Sequence, residues 1–98
     1  MSTIIFSRDA RQDLVDIKAH LSPRSADITQ YVLDCVLREI EKLAIKPRMG
    51  HRRRDVADQG ILFLTVFRYQ VAYVVDDDSV SVLRVIHTAR DYRKIKWT

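Results

Sequence analysis

The chain has one cysteine, two glycines and two prolines among 98 residues, and these scarcities narrow what it can be. Gly50 and Gly60, ten residues apart, make neither a glycine-rich phosphate loop nor a Gly-x-Ser-x-Gly elbow, so nucleotide-binding and serine-hydrolase classes drop out. With 47% hydrophobic residues, so little glycine and proline also excludes a disordered or fibrous chain. The apolar runs fall far short of the ~20 residues that a membrane-spanning helix needs. Met1-Ser2-Thr3-Ile4 does not begin the basic-then-apolar pattern of a secretory leader, so the expected location is the cytoplasm. Cys35 falls among Val32, Val36 and Ile40 on a helical pattern, a place for a small buried residue rather than a disulfide partner or nucleophile. His20, His51 and His87 each lack a second ligand at metal spacing, so neither metal nor cofactor is expected.

What is present is positive charge and short, well-patterned elements. The formal net charge of +4 favours acidic partners at long range without choosing among them. A chain of this length buries roughly 65% of its unfolded surface in one core, so residues 1–98 are read as a single domain. Ile4, Ile5 and Phe6 make a short strand, and Ser7 is placed to cap a helix over Arg8–Leu21, where Ala10, Leu14, Ile17 and Leu21 form the apolar stripe and Arg11, Asp13, Asp16 and Lys18 face away. Ser22-Pro23 is expected to stop that helix and cap a second one. Val32, Val36, Ile40 and Leu43 form its stripe, widened by Ile28, Tyr31, Cys35 and Ala44. The short connection implies an antiparallel helical hairpin.

Lys46-Pro47-Arg48-Met49-Gly50 breaks the periodicity, and His51-Arg52-Arg53-Arg54-Asp55 reads as polar loop as far as Gly60. Ile61–Phe67, Tyr69–Val75 and Val80–Ile86, the last two separated by Asp76-Asp77-Asp78, read as three antiparallel strands in a meander. The class is α+β, with the helical hairpin on one face of the sheet and the N-terminal strand added at an edge.

The remaining signal is Arg84-Val85-Ile86-His87-Thr88-Ala89-Arg90-Asp91, with Pro47-Arg48-Met49-Gly50 and Tyr69-Gln70-Val71-Ala72-Tyr73 upstream. Each residue has an ordinary role open to it. Arg84 lies on a face with Val80, Val82 and Ile86 and has Glu39 or Asp91 as candidate carboxylates. Arg90 and Asp91 can close the strand end as a local pair, and His87 can be a hydrogen-bonded structural histidine. Arg52-Arg53-Arg54 is either a solvated loop or a patch for phosphate or an acidic protein.

In order and spacing this combination resembles the ParE branch of the ParE/RelE toxin superfamily, over nearly the whole chain. The resemblance implies the toxin half of a type II toxin–antitoxin pair, neutralised in a hetero-oligomer by a ParD-like antitoxin whose disordered acidic segment folds over it. It also implies inhibition of DNA gyrase by protein contact, without enzymatic chemistry, membrane association or sequence-specific nucleic-acid binding. Arg52, Arg53, Arg54, Arg84, His87, Arg90, Asp91 and Trp97 are the expected partner-binding residues. The RelE branch offers the alternative of a metal-independent, ribosome-dependent mRNA endoribonuclease, for which Arg68, Arg84, His87, Arg90 and Tyr92 are the candidate catalytic parts. That chemistry requires a base, cationic clamps and an acid converging on one phosphate.

Overall fold

Thr3-Ile4-Ile5-Phe6, β-branched and aromatic, forms strand β1 (Thr3–Phe6) in the computed structural model, which describes residues 2–53, 60–89 and 95. Ser7 ends the strand and opens a helix. Its hydroxyl accepts the Ala10 N–H at 3.0 Å and donates to the Leu83 carbonyl at 2.8 Å. One side chain thus fills an orphan donor of the first helical turn and ties that turn to a strand remote in sequence. Helix α1 (Arg8–Leu21) follows over the expected range. It buries Ala10 and Ile17, with Leu14 and Leu21 packed alongside.

Helix α2 (Ala26–Glu41) starts later than the Ser22-Pro23 pair predicts. Ser22 keeps a right-handed helical backbone, which denies it the extended conformation of an N-cap. Its N–H and hydroxyl both donate back to the Lys18 carbonyl, at 2.9 and 2.6 Å, so it closes α1 instead. Ser25 has the extended backbone and accepts the Ile28 N–H at 3.2 Å. On α2 the stripe of Val36, Ile40 and, just beyond the helix, Leu43 is fully buried, with Val32 packed against it. The expected margins of that stripe are not buried. Ile28 and Tyr31 are exposed and Cys35 is half-buried, because at ~100° per residue they lie roughly 80–140° round the helix from the stripe centre.

Four further strands complete one sheet: β2 (His51–Arg52), β3 (Leu62–Val66), β4 (Tyr69–Val75) and β5 (Ser79–His87). Their order is β1-β5-β4-β3-β2. The antiparallel meander of β3, β4 and β5 is as expected, and β1 joins at the edge, parallel to β5. His51 and Arg52, read as loop, instead pair with Phe63 and Leu62 to form the other edge. Both are exposed, so no buried alternation marks them in the sequence; a short, charged edge of this kind discourages pairing with other chains.

The pairing of β4 with β5 slips by one residue. Tyr73 faces Val82 and Ala72 faces Arg84, leaving Leu83 as the extra residue of a bulge. Strict alternation had put Arg84 and Ile86 on the face of Val80 and Val82; the bulge puts Val85 there instead. Val80, Val82 and Val85 meet Tyr69, Val71 and Tyr73 in the core under the helices. On the opposite face Ile61, Phe63 and Ala72 form a second cluster with Val74 and Leu83.

Tyr73 lies at the centre of the main core with no exposed surface, and the Gly50 N–H donates to its phenol oxygen at 2.8 Å. Burial raises its pKa above the ordinary 10.0, against smaller lowering effects of the Gly50 bond and the Arg48 charge; burial raises Tyr69 as well. A group that holds its proton more tightly folded than unfolded penalises folding once the unfolded phenol ionises. The thermal midpoint should therefore be unaffected by these two phenols below about pH 10 and fall above it. Tyr73→Phe should flatten that alkaline fall, as read by melting curves from pH 8 to 11.

Candidate functional site

The site is built where β5 outruns β1. After Phe6 pairs with Val82, β1 gives way to Ser7, and α1 takes over the edge of β5. From Ser7 to Asp13 the helix rises ~9 Å; from Val82 to Val85 the strand advances ~10 Å. Asp13 is thereby delivered to the exposed edge of β5 and is buried there. Its Oδ2 accepts the Arg84 Nε–H at 2.7 Å and the Val85 backbone N–H at 2.9 Å, while Oδ1 accepts Arg84 Nη2–H at 2.9 Å. The carboxylate replaces the missing neighbouring strand for Val85 and holds Arg84 in a two-pronged pair. The Asp13 hydrogen bonds hold the Arg84 guanidinium even more firmly protonated than usual, against the opposing cost of burial.

This overturns two expectations. Asp13 does not face away, and it, rather than Glu39, is the described carboxylate that pairs with Arg84; Asp91 lies outside the described residues. The signal for Asp13 was in the spacing, three residues after Ala10 and four before Ile17, which places it on the buried stripe.

Beyond this tie, the last residues of α1, the start of α2 and the β3–β4 turn gather round the end of β5. His87 is exposed, its ring edge-on to Tyr69 with centroids 5.5 Å apart. Its Nδ1 accepts the Ala89 N–H at 3.1 Å, which orients the ring at the strand end. The turn is the two residues Phe67 and Arg68, between the paired Val66 and Tyr69, and it is fastened to the end of β5 by Thr88 N–H donating to the Arg68 carbonyl at 2.8 Å. Phe67 adopts φ +55°, a left-handed conformation that costs a non-glycine residue roughly 1–2 kcal/mol. It is nevertheless 53% exposed, with its ring centroid 6.1 Å from that of Tyr31. An aromatic held in a strained backbone and shown to solvent is a feature of contact surfaces.

Of the expected partner-binding residues, Arg84 and His87 both lie on the last part of β5, Arg84 turned to Asp13 and His87 at the strand end. Arg52 and Arg53 belong to the opposite edge, three strand spacings or about 14 Å away across the sheet. Arg52 is exposed and Arg53 half-buried. Arg54, Arg90, Asp91, Tyr92 and Trp97 lie outside the described residues; of the tail, Ile95 is buried. Arg68, from the alternative catalytic set, is exposed on the turn, and His20, weighed in the sequence only as a metal ligand, and Arg24, not singled out there, line the same end of the molecule. No three His, Cys, Asp or Glu side chains are grouped to hold a metal among the described residues, and no described helix is long and apolar enough to cross a membrane.

Against known proteins, a family model described as the ParE toxin of the type II toxin–antitoxin system parDE matches residues 4–92. Among solved structures, the chain is similar to one from the chromosomal ParDE toxin–antitoxin system of P. aeruginosa, with a TM-score of 0.75 and 16% identity, covering 89% of this chain and 96% of that one. It is also similar to one from the toxin–antitoxin complex RelBE2 of Mycobacterium tuberculosis, with a TM-score of 0.62 and 31% identity, covering 88% and 96%. Among curated proteins none matches. The family match over nearly the full described fold settles membership: this chain belongs to the ParE toxin family of type II toxin–antitoxin systems.

Proposed function

We propose that this toxin arrests growth by binding DNA gyrase through protein contact, in the cytoplasm, and that a ParD-like antitoxin holds it inactive in a hetero-oligomer. The observation that carries this reading over RNA cleavage is the engagement of Arg84. An endoribonuclease on this scaffold would need that guanidinium free to stabilise a crowded phosphate. Here its Nε and Nη2 are directed at Asp13, its side chain is only 15% exposed, and the carboxylate offsets its charge. The exposed His87 and Arg68 then serve recognition, and Arg84 supports that surface by holding α1 against β5. Arg52, Arg53, Arg54, Arg90, Asp91 and Trp97 complete the proposed contact set.

The test is a pair of assays on the purified toxin. A supercoiling reaction with purified gyrase should be inhibited, and ribosome-bound mRNA should remain uncut. Cleavage of mRNA with gyrase unaffected would transfer the protein to the RelE type of activity.

A further inference from the structure

Two cavities meet at the end of the molecule where β5 finishes. One, of about 370 Å3, opens between α1 and β5 and reaches Asp16. The other, of about 700 Å3, runs beneath the helical hairpin to Arg24 and Arg68. His20, Tyr69 and His87 line both, so the two form one groove. We propose that this groove receives a single segment of the antitoxin in a fixed orientation: its carboxylates against Arg24 and Arg68, its apolar side chains over Tyr69, and a cationic or hydrogen-donating residue at Asp16. The proposal rests on the antitoxin reading given above and adds where the segment lies and which way it runs.

The groove changes sign along its length. At the hairpin end Arg24 and Arg68 are exposed, the two histidines stand beside them, and among the described residues no carboxylate lines the cavity. At the α1 end Asp13 is neutralised by Arg84, but Asp16 is exposed and held only by the Gln12 amide at 2.9 Å among its described bonds. A nucleic-acid strand carries a phosphate at every step, so it gains at Arg24 and Arg68 and is repelled at Asp16. A peptide varies its charge residue by residue and satisfies both ends. The floor between them is apolar, with Ile17 and Val85 on one side and Leu21 and Val32 on the other, which suits alternating or helical apolar side chains. At the rim, the Phe67 and Tyr31 rings extend that apolar surface. The turn bearing Phe67 is already fixed by the Thr88 bond to Arg68, so a bound segment need not order it.

The experiment uses the full-length toxin and the full-length small protein expected from the adjacent reading frame, with affinity measured by titration calorimetry at 0.15 M salt. The R24E/R68E variant should keep the wild-type melting temperature and bind at least tenfold more weakly; D16K should weaken binding about threefold. Should the double reversal unsettle the fold, R24Q/R68Q removes the charge without inverting it and should still lose about fivefold. Equal affinity of a folded R24E/R68E and the wild type, within twofold, overturns the groove and leaves the antitoxin reading standing. Absence of any complex with the wild type overturns both. A 20-nucleotide single-stranded DNA that displaces the small protein from the wild type and fails to bind R24E/R68E would give the groove to nucleic acid and overturn the proposal.

Discussion

Asp13→Ala should destabilise the protein by about 3–5 kcal/mol, the cost expected when one partner of a buried ion pair is removed and the other is left. The size follows from what that carboxylate does. It accepts three hydrogen bonds, two from a guanidinium that is 15% exposed and one from the backbone N–H of Val85 at an edge that no strand covers. For a domain whose whole stability is ordinarily about 5–15 kcal/mol, that loss is a large share, and urea titration should show the midpoint falling steeply. Asp13→Asn keeps an acceptor for Val85 and should fall between the wild type and the alanine variant. Arg84→Ala in the Asp13→Ala background should cost little more, so a double-mutant cycle should return a coupling of about 1–3 kcal/mol. Additive losses would show that helix and strand are held by packing alone.

Gly50→Ala is the second large effect. A Cβ there would stand 2.6 Å from the Tyr73 phenol oxygen and 2.7 Å from the Phe63 carbonyl, closer than atoms tolerate. Tyr73 is fully buried and cannot swing away, so the loop must retreat and the Gly50 N–H bond to the phenol at 2.8 Å is lost. Overpacking of about 1–3 kcal/mol together with a hydrogen bond of about 1 kcal/mol gives an expected loss of about 2–4 kcal/mol in chemical denaturation. Tyr73→Phe removes the nearer obstacle and should restore part of that loss in the double variant, although the Phe63 carbonyl remains. An unchanged loss in the double variant would place the strain at the carbonyl instead.

Both predictions concern residues whose importance was unevenly legible in the sequence. The helix stripes were readable because Ala10 and Ile17, or Val36 and Ile40, repeat at the helical period over several turns and are buried where expected. Strands β4 and β5 were readable because Asp76-Asp77-Asp78 separates two β-branched runs, whereas the β3–β4 turn, Phe67-Arg68, carries no turn-forming residue and Phe67 read as strand. Asp13 was misplaced because a carboxylate on an apolar stripe reads as an error in the stripe until its partner is known. The bulge at Leu83 was hidden because both phases of Val82-Leu83-Arg84-Val85-Ile86 carry apolar residues, Val82 and Ile86 in one and Leu83 and Val85 in the other, so the side on which Val85 falls is decided by the neighbouring strand. The groove was hidden for another reason. His20, Arg24, Arg68 and His87 lie on four separate segments, and only the return of the β3–β4 turn beneath the helical hairpin brings them to one place.

The parallel pairing of β1 with β5 also has a consequence for timing. Strand β1 is synthesised well before its partner residues, Ser79 to Val82, and the Ser7 hydroxyl waits for a carbonyl 76 positions downstream. At synthesis rates of about 5–20 residues per second that gap lasts about 4–15 s. Until it closes, the nascent chain has no completed edge for Asp13 to meet. The tie between Asp13 and Arg84, and the groove beside it, therefore form only once β5 has been made.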